Sequence, residues 1–132
     1  YPAGNTNQAI GLAHGWMSLV GGGPYPTPPV EDPKYQYQKV IILLTDGLNT
    51  QNRWSTDQNT TDAREKITCD NINKAGITLY TVQVNTGGDP TQTVMKNCAS
   101  SADKFFELKS ASALVTAFST IGTALSNLRI AQ

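Results

Sequence analysis

An α/β domain built on an open, Rossmann-like parallel sheet with flanking helices is the fold class this sequence predicts, on three observations. Residues 40–44, Val-Ile-Ile-Leu-Leu, are consecutive aliphatics, the pattern of a strand buried on both faces. A second run at 77–84, Ile-Thr-Leu-Tyr-Thr-Val-Gln-Val, is β-branched and aromatic and reads as another strand. Helical patterns with start and stop signals separate such runs, and strand–helix alternation implies a parallel sheet with right-handed crossovers.

The order begins with a helix over residues 4–19. Asn5 or Thr6 can cap it, and Ile10, Leu12, Ala13, Trp16 and Leu19 offer packing positions. Gly21-Gly22-Gly23 stops it, and five prolines from Pro24 to Pro33 make residues 21–38 a Gly/Pro-rich loop of polyproline character. After the first strand, residues 48–61 are crowded with Asn, Gln, Thr and Ser and read as a loop, with Trp54 its one large apolar side chain. A helix over 62–75 is stopped by Gly76. Beyond the second strand, Asp89-Pro90 supplies an N-cap and first helical residue for a short helix through Cys98. Residues 104–108 give a third strand. A final helix over 112–130 carries Leu114, Phe118, Ile121, Leu125 and Leu128 as a stripe. The expected order is helix-β-α-β-α-β-α, within a single domain segment over residues 1–132.

The totals narrow the function classes. Ten basic and ten acidic residues cancel, which removes the electrostatic case for nucleic acid or an anionic membrane. No run reaches the ~20 apolar residues of a membrane span. The chain opens on Tyr1, so a processed product or excised segment is expected, with any export signal or anchor upstream.

Cys69 and Cys98 are too few for a disulfide scaffold and lack zinc spacing; they are two buried thiols or one disulfide. Successive crossovers in one direction place the second and third helices, which carry them, side by side. That arrangement favours the disulfide, which closes a loop of roughly 30 residues and contributes about 3–4 kcal/mol. An extracytoplasmic location follows, because such bonds rarely persist in cytosol.

The chemistry is expected where the first strand breaks into Thr45-Asp46-Gly47, since open α/β sheets bind ligands at the carboxyl ends of their strands. Asp-Gly is also an ordinary turn, and Thr6 an ordinary cap. Gathered on one face, a hydroxyl and a carboxylate are hard oxygen ligands suited to Mg²⁺.

Gly4-Asn5-Thr6-Asn7 followed by Leu44-Thr45-Asp46-Gly47 resembles the second and third elements of the metal-ion-dependent adhesion site of von Willebrand factor type A domains. Ala75-Gly76-Ile77-Thr78-Leu79-Tyr80-Thr81-Val82 and Phe105-Phe106 resemble later strands of that family. A tighter resemblance is to the A-type domain at the carboxyl end of bacterial Tad-type (Flp) pilus-assembly proteins. It rests on Ile10-Gly11-Leu12-Ala13-His14-Gly15-Trp16, on Cys98-Ala99-Ser100 with Cys69, and on Leu125-Ser126-Asn127-Leu128-Arg129-Ile130-Ala131.

The resemblance implies a non-enzymatic interaction module. Thr6 and Asp46 would help hold Mg²⁺ (or Mn²⁺ or Ca²⁺), and a partner protein's carboxylate would complete the ion's shell. His14 would be structural. The family's primary motif, Asp-x-Ser-x-Ser, occurs nowhere in the sequence, and the family domain has three strands and a helix before the segment matched here. Two expectations follow: the chain alone holds Mg²⁺ weakly or not at all, and the strand at 40–44 has an unpaired edge through which the chain self-associates. The other expected partner is an acidic ligand or a pilus or envelope component, with an upstream membrane anchor and Trp54 as a possible contact.

Two rivals stand beside this reading. A catalytic domain using Asp46 would need a second acid, a Lys or a His beside it, and the one His falls in a helix. No Gly-x-Ser-x-Gly, phosphate-loop or dinucleotide fingerprint occurs. A structural scaffold without metal is the second rival.

Overall fold

The computed structural model describes residues 4–127. Its element order is α1 (Gln8–Val20), β1 (Val40–Thr45), α2 (Gln58–Lys74), β2 (Thr78–Val84), α3 (Thr93–Cys98), a 3₁₀ turn (Ala102–Lys104), β3 (Phe105–Leu108) and α4 (Ser112–Asn127). The strands form one parallel sheet in the order β1-β2-β3, with Ile42 opposite Tyr80 and Val82 opposite Phe106. This is the mixed α/β fold, with a parallel open sheet and flanking helices, that the sequence predicts. Leu128 and the last residues of the predicted final helix lie outside the described residues.

Strand side chains alternate between two cores. On one face Leu12 of α1, Cys69 and Ile72 of α2 and Val94, Met95 and Cys98 of α3 pack on Ile41 and Leu79. On the other, Ala117 and Ile121 of α4 pack on Tyr80, Val82 and Leu108. The Cys69–Cys98 disulfide joins α2 to α3 inside the first core, with Cα atoms 5.1 Å apart.

The strand buried on both faces is β2, not β1. Thr78–Val84 is buried from Leu79 to Gln83, whereas Ile42 and Leu44 of β1 are 36% and 44% exposed. The reason is coverage: α4 packs over β2 and β3, only Val40 of β1 reaches that core, and no described strand pairs with the outer edge of β1.

Residues 21–38 form the expected irregular loop, returning to α1 where Tyr25 Oη meets His14 Nδ1 at 3.3 Å. Gly21 is required at the exit of α1: its φ is +86°, and a Cβ there would lie 2.9 Å from Thr27 Cα.

Candidate functional site at the carboxyl ends of the strands

α1 begins later than predicted, and neither Asn5 nor Thr6 caps it. Asn7 is the N-cap residue but makes no side-chain cap bond. The orphan N–H of Gln8 is instead satisfied from across the fold, donating to Asn49 Oδ1 at 2.8 Å. Thr6 is fixed through its backbone: its N–H donates to Thr50 Oγ1 at 2.7 Å, and its carbonyl accepts from Thr50 N at 2.9 Å. The segment before α1 is thereby laid along the loop that leaves β1.

Gln8 extends this contact into the sheet. Its Nε2 donates to Gly47 O at 2.8 Å and lies 3.2 Å from both Thr45 Oγ1 and Gln92 Oε1. Gln92 Nε2 donates to the same Gly47 carbonyl, and Gln92 N donates to Gln83 Oε1 at 2.9 Å. Three buried glutamines thus tie β1, β2 and the start of α3 together. They also explain why α3 starts at Thr93 rather than Pro90. The residues before it are held outside the helix by tertiary bonds, Pro90 O accepting from Gln83 Nε2 and Asp89 O from Asn85 Nδ2.

Beside this network lies Glu65. α2 begins at Gln58, earlier than predicted, because Asp57 caps it by accepting from Thr60 N at 2.8 Å. That start places Thr61, Glu65, Cys69 and Ile72 on the buried face. Asn49 Nδ2 donates to Glu65 Oε2 and to Asp62 Oδ1, the latter at 2.8 Å, while Glu65 Oε1 has no partner among the described residues. Burial pushes the Glu65 carboxyl up to about 7, against the pull of the Asn49 bond, and the nearby Asp62 charge adds to the rise.

The turn Thr45-Asp46-Gly47 stands at the rim of this polar floor. Thr45 is buried and donates to Gly47 O at 2.9 Å. Asp46 is exposed and makes no hydrogen bond or ion pair among the described residues. Thr6 is also exposed. The two residues named from the sequence are therefore carried by segments that touch, through Gln8–Gly47 and Thr6–Thr50. The glutamines, Asn49 and Glu65 were not singled out from the sequence. The available signals were the alternation that puts Gln83 on the face of Leu79 and Thr81, and the helical spacing that puts Glu65 one turn before Cys69.

Trp54 lies in the loop between β1 and α2, 72% exposed, with the guanidinium carbons of Arg64 and Arg53 at 5.0 and 5.6 Å from its ring centroid.

Two groupings can be tested as metal ligands. Thr6 and Asp46 offer hard oxygens but not the six or more that Mg²⁺ or Ca²⁺ takes, so they do not by themselves fit a tightly held ion. Glu65, Cys69 and Cys98 place ligand atoms within 4.8 Å of one another, but the two sulfurs are bonded to each other and are not thiolates.

Residues 27–120 match the von Willebrand factor type A domain. No curated protein and no solved structure matches the chain. Domains of this family are in general non-catalytic modules of protein interaction, and they often bind a divalent metal. The match runs from the loop before β1 into α4, and the chain belongs to the von Willebrand factor type A domain family.

Proposed function

We propose that the chain is a non-enzymatic, adhesion-type interaction module of a Tad/Flp pilus-assembly or other envelope-associated protein, carrying a remnant metal-ion-dependent adhesion site. One observation carries the metal side of this reading. Asp46 projects, exposed and unpartnered among the described residues, from the carboxyl end of a parallel strand, while the Thr6 segment is pinned beside it. A carboxylate that no described side chain engages is free to meet an ion or a partner's group. The buried disulfide fits an extracytoplasmic setting. No described helix is long and apolar enough to cross a membrane.

Asp46 and Thr6 would contribute to holding Mg²⁺, Mn²⁺ or Ca²⁺, and the remaining ligands would come from outside the described residues. The ion would serve as a bridge to an acidic partner ligand. The buried floor of Gln8, Gln83, Gln92 and Asn49 holds the loops in place beneath that bridge. Isothermal titration with Mg²⁺ or Mn²⁺ tests the assignment. The chain alone is expected to bind weakly or undetectably; micromolar affinity would show a complete ligand set and overturn the remnant-site reading.

Self-association is the second half of the proposal. The outer edge of β1 is unpaired among the described residues, and Ile42 and Leu44 add an uncovered apolar strip beside it. Open edges of this kind are templates for pairing with another chain. The edge supports an association of two copies about a two-fold axis.

A further inference from the structure

The loop between β1 and α2 carries a surface feature that the ion site does not use. Asn52 is buried, and its Oδ1 accepts from both Trp54 N and Ser55 N at 2.8 Å, while its own N–H donates to Ser55 O at 2.8 Å. This Asx-type turn fixes the backbone that presents Trp54. The indole stays 72% exposed, although it is the largest apolar side chain of the loop. Two guanidiniums lie within cation–π range of it, Arg64 from α2 and Arg53 from the loop.

Neither guanidinium makes an ion pair among the described residues. The carboxylates of the same stretch are committed elsewhere. Asp57 accepts from Thr60 N and Oγ1, and Asp62 and Glu65 accept from Asn49. Two positive charges, an exposed aromatic and an ordered turn are thus gathered, and neither guanidinium is ion-paired among the described residues. The chain as a whole is neutral, and the two guanidiniums give this patch charges that an acidic ligand complements. Guanidiniums stacked on an aromatic keep their in-plane N–H donors free, and those donors match carboxylates in bidentate fashion.

The geometry points to a metal-independent docking surface formed by Arg53, Trp54 and Arg64, which takes an acidic peptide segment of a partner protein. Carboxylates of the segment pair with the two guanidiniums, and its chain lies against the indole. The inference rests on the reading of the domain as an interaction module and names a partner chemistry for it. It does not depend on the ion site at Asp46.

The test is fluorescence anisotropy of labelled hexaglutamate titrated with the chain, with hexalysine as the control peptide, in EDTA and separately in Mg²⁺. Hexaglutamate binds in EDTA, hexalysine does not, and binding weakens as ionic strength rises from about 0.05 to about 0.3 M. Exposed charge pairs of this type each carry up to about a fivefold effect, so Arg53→Gln with Arg64→Gln weakens binding by about five- to twentyfold. Trp54→Ala also weakens it. Lys74→Gln, the same charge change at the far end of α2, leaves it unchanged. Circular dichroism of each variant matches the parent. Binding that survives the double arginine substitution but is lost in EDTA or in Asp46→Ala overturns this inference and leaves the ion-bridged module standing. No binding of hexaglutamate under either condition overturns the inference and leaves the ion-bridged reading standing, because this chain alone is not expected to hold the ion that reading needs.

Discussion

Glu65 makes the stability of this domain depend on pH, in a window fixed by where its carboxyl lies. It is fully buried on α2, one oxygen accepts from Asn49 Nδ2, and the other has no partner among the described residues. Its carboxyl is raised from the ordinary 4.5 to about 7, first because burial penalises the charge. The folded chain therefore holds this proton where the unfolded chain has released it. Stability from this group is fully present below about pH 4.5 and falls as pH rises towards about 7, then levels off. At roughly 1.4 kcal/mol for each pH unit of that interval, the loss is about 3 kcal/mol. Glu65→Gln keeps the shape and the acceptor for Asn49 but carries no proton to lose. Urea denaturation from about pH 4.5 to 8 should show the parent losing about 3 kcal/mol over this window and Glu65→Gln losing far less. Parallel pH profiles for the two proteins would refute a buried, proton-holding Glu65.

Two further outcomes follow from the same region. Asn49→Ala removes the acceptor of Gln8 N–H and the donor to Glu65, leaving both buried groups unpaired. Its cost by urea denaturation should be about 2–4 kcal/mol, larger at alkaline pH, where Glu65 is charged. The disulfide is 0% exposed at both cysteines, so it should resist mild reductant in the folded state. Replacing both cysteines by Ala should cost about 3–4 kcal/mol, read as a lower denaturation midpoint.

The order of elements was legible because each strand is a run that only a sheet buries well, and each helix is bounded by Gly, Pro or a change in period. The limits of elements were less so, since tertiary bonds set them. Gln58-Asn59-Thr60 reads as loop by composition, yet Asp57 caps a helix there by binding Thr60. Pro90 reads as a first helical residue, yet its carbonyl is engaged by Gln83 and the helix waits until Thr93. Five aliphatics at 40–44 predict burial on both faces, but burial depends on what covers the strand, and of β1 only Val40 packs against the core that α4 covers. Of the site, Asp46 and Thr6 could be named from local patterns. The polar floor could not, because Gln8, Gln83 and Gln92 are ordinary surface residues until the fold brings Gln8 to Thr45 and Gln92, 37 and 84 residues away in sequence.

Light scattering of the purified chain, parent against Ile42→Asp with Leu44→Asp, tests the proposed role as a pairing module most directly. Those side chains lie on the uncovered face of β1, 36% and 44% exposed, so the substitutions charge the strip without emptying a core. The parent should associate with rising concentration, at a mass of two copies, and the double variant should stay monomeric with an unchanged circular dichroism spectrum. A parent that remains a monodisperse monomer at the highest attainable concentration would contradict the proposal that the open edge of β1 pairs with another chain.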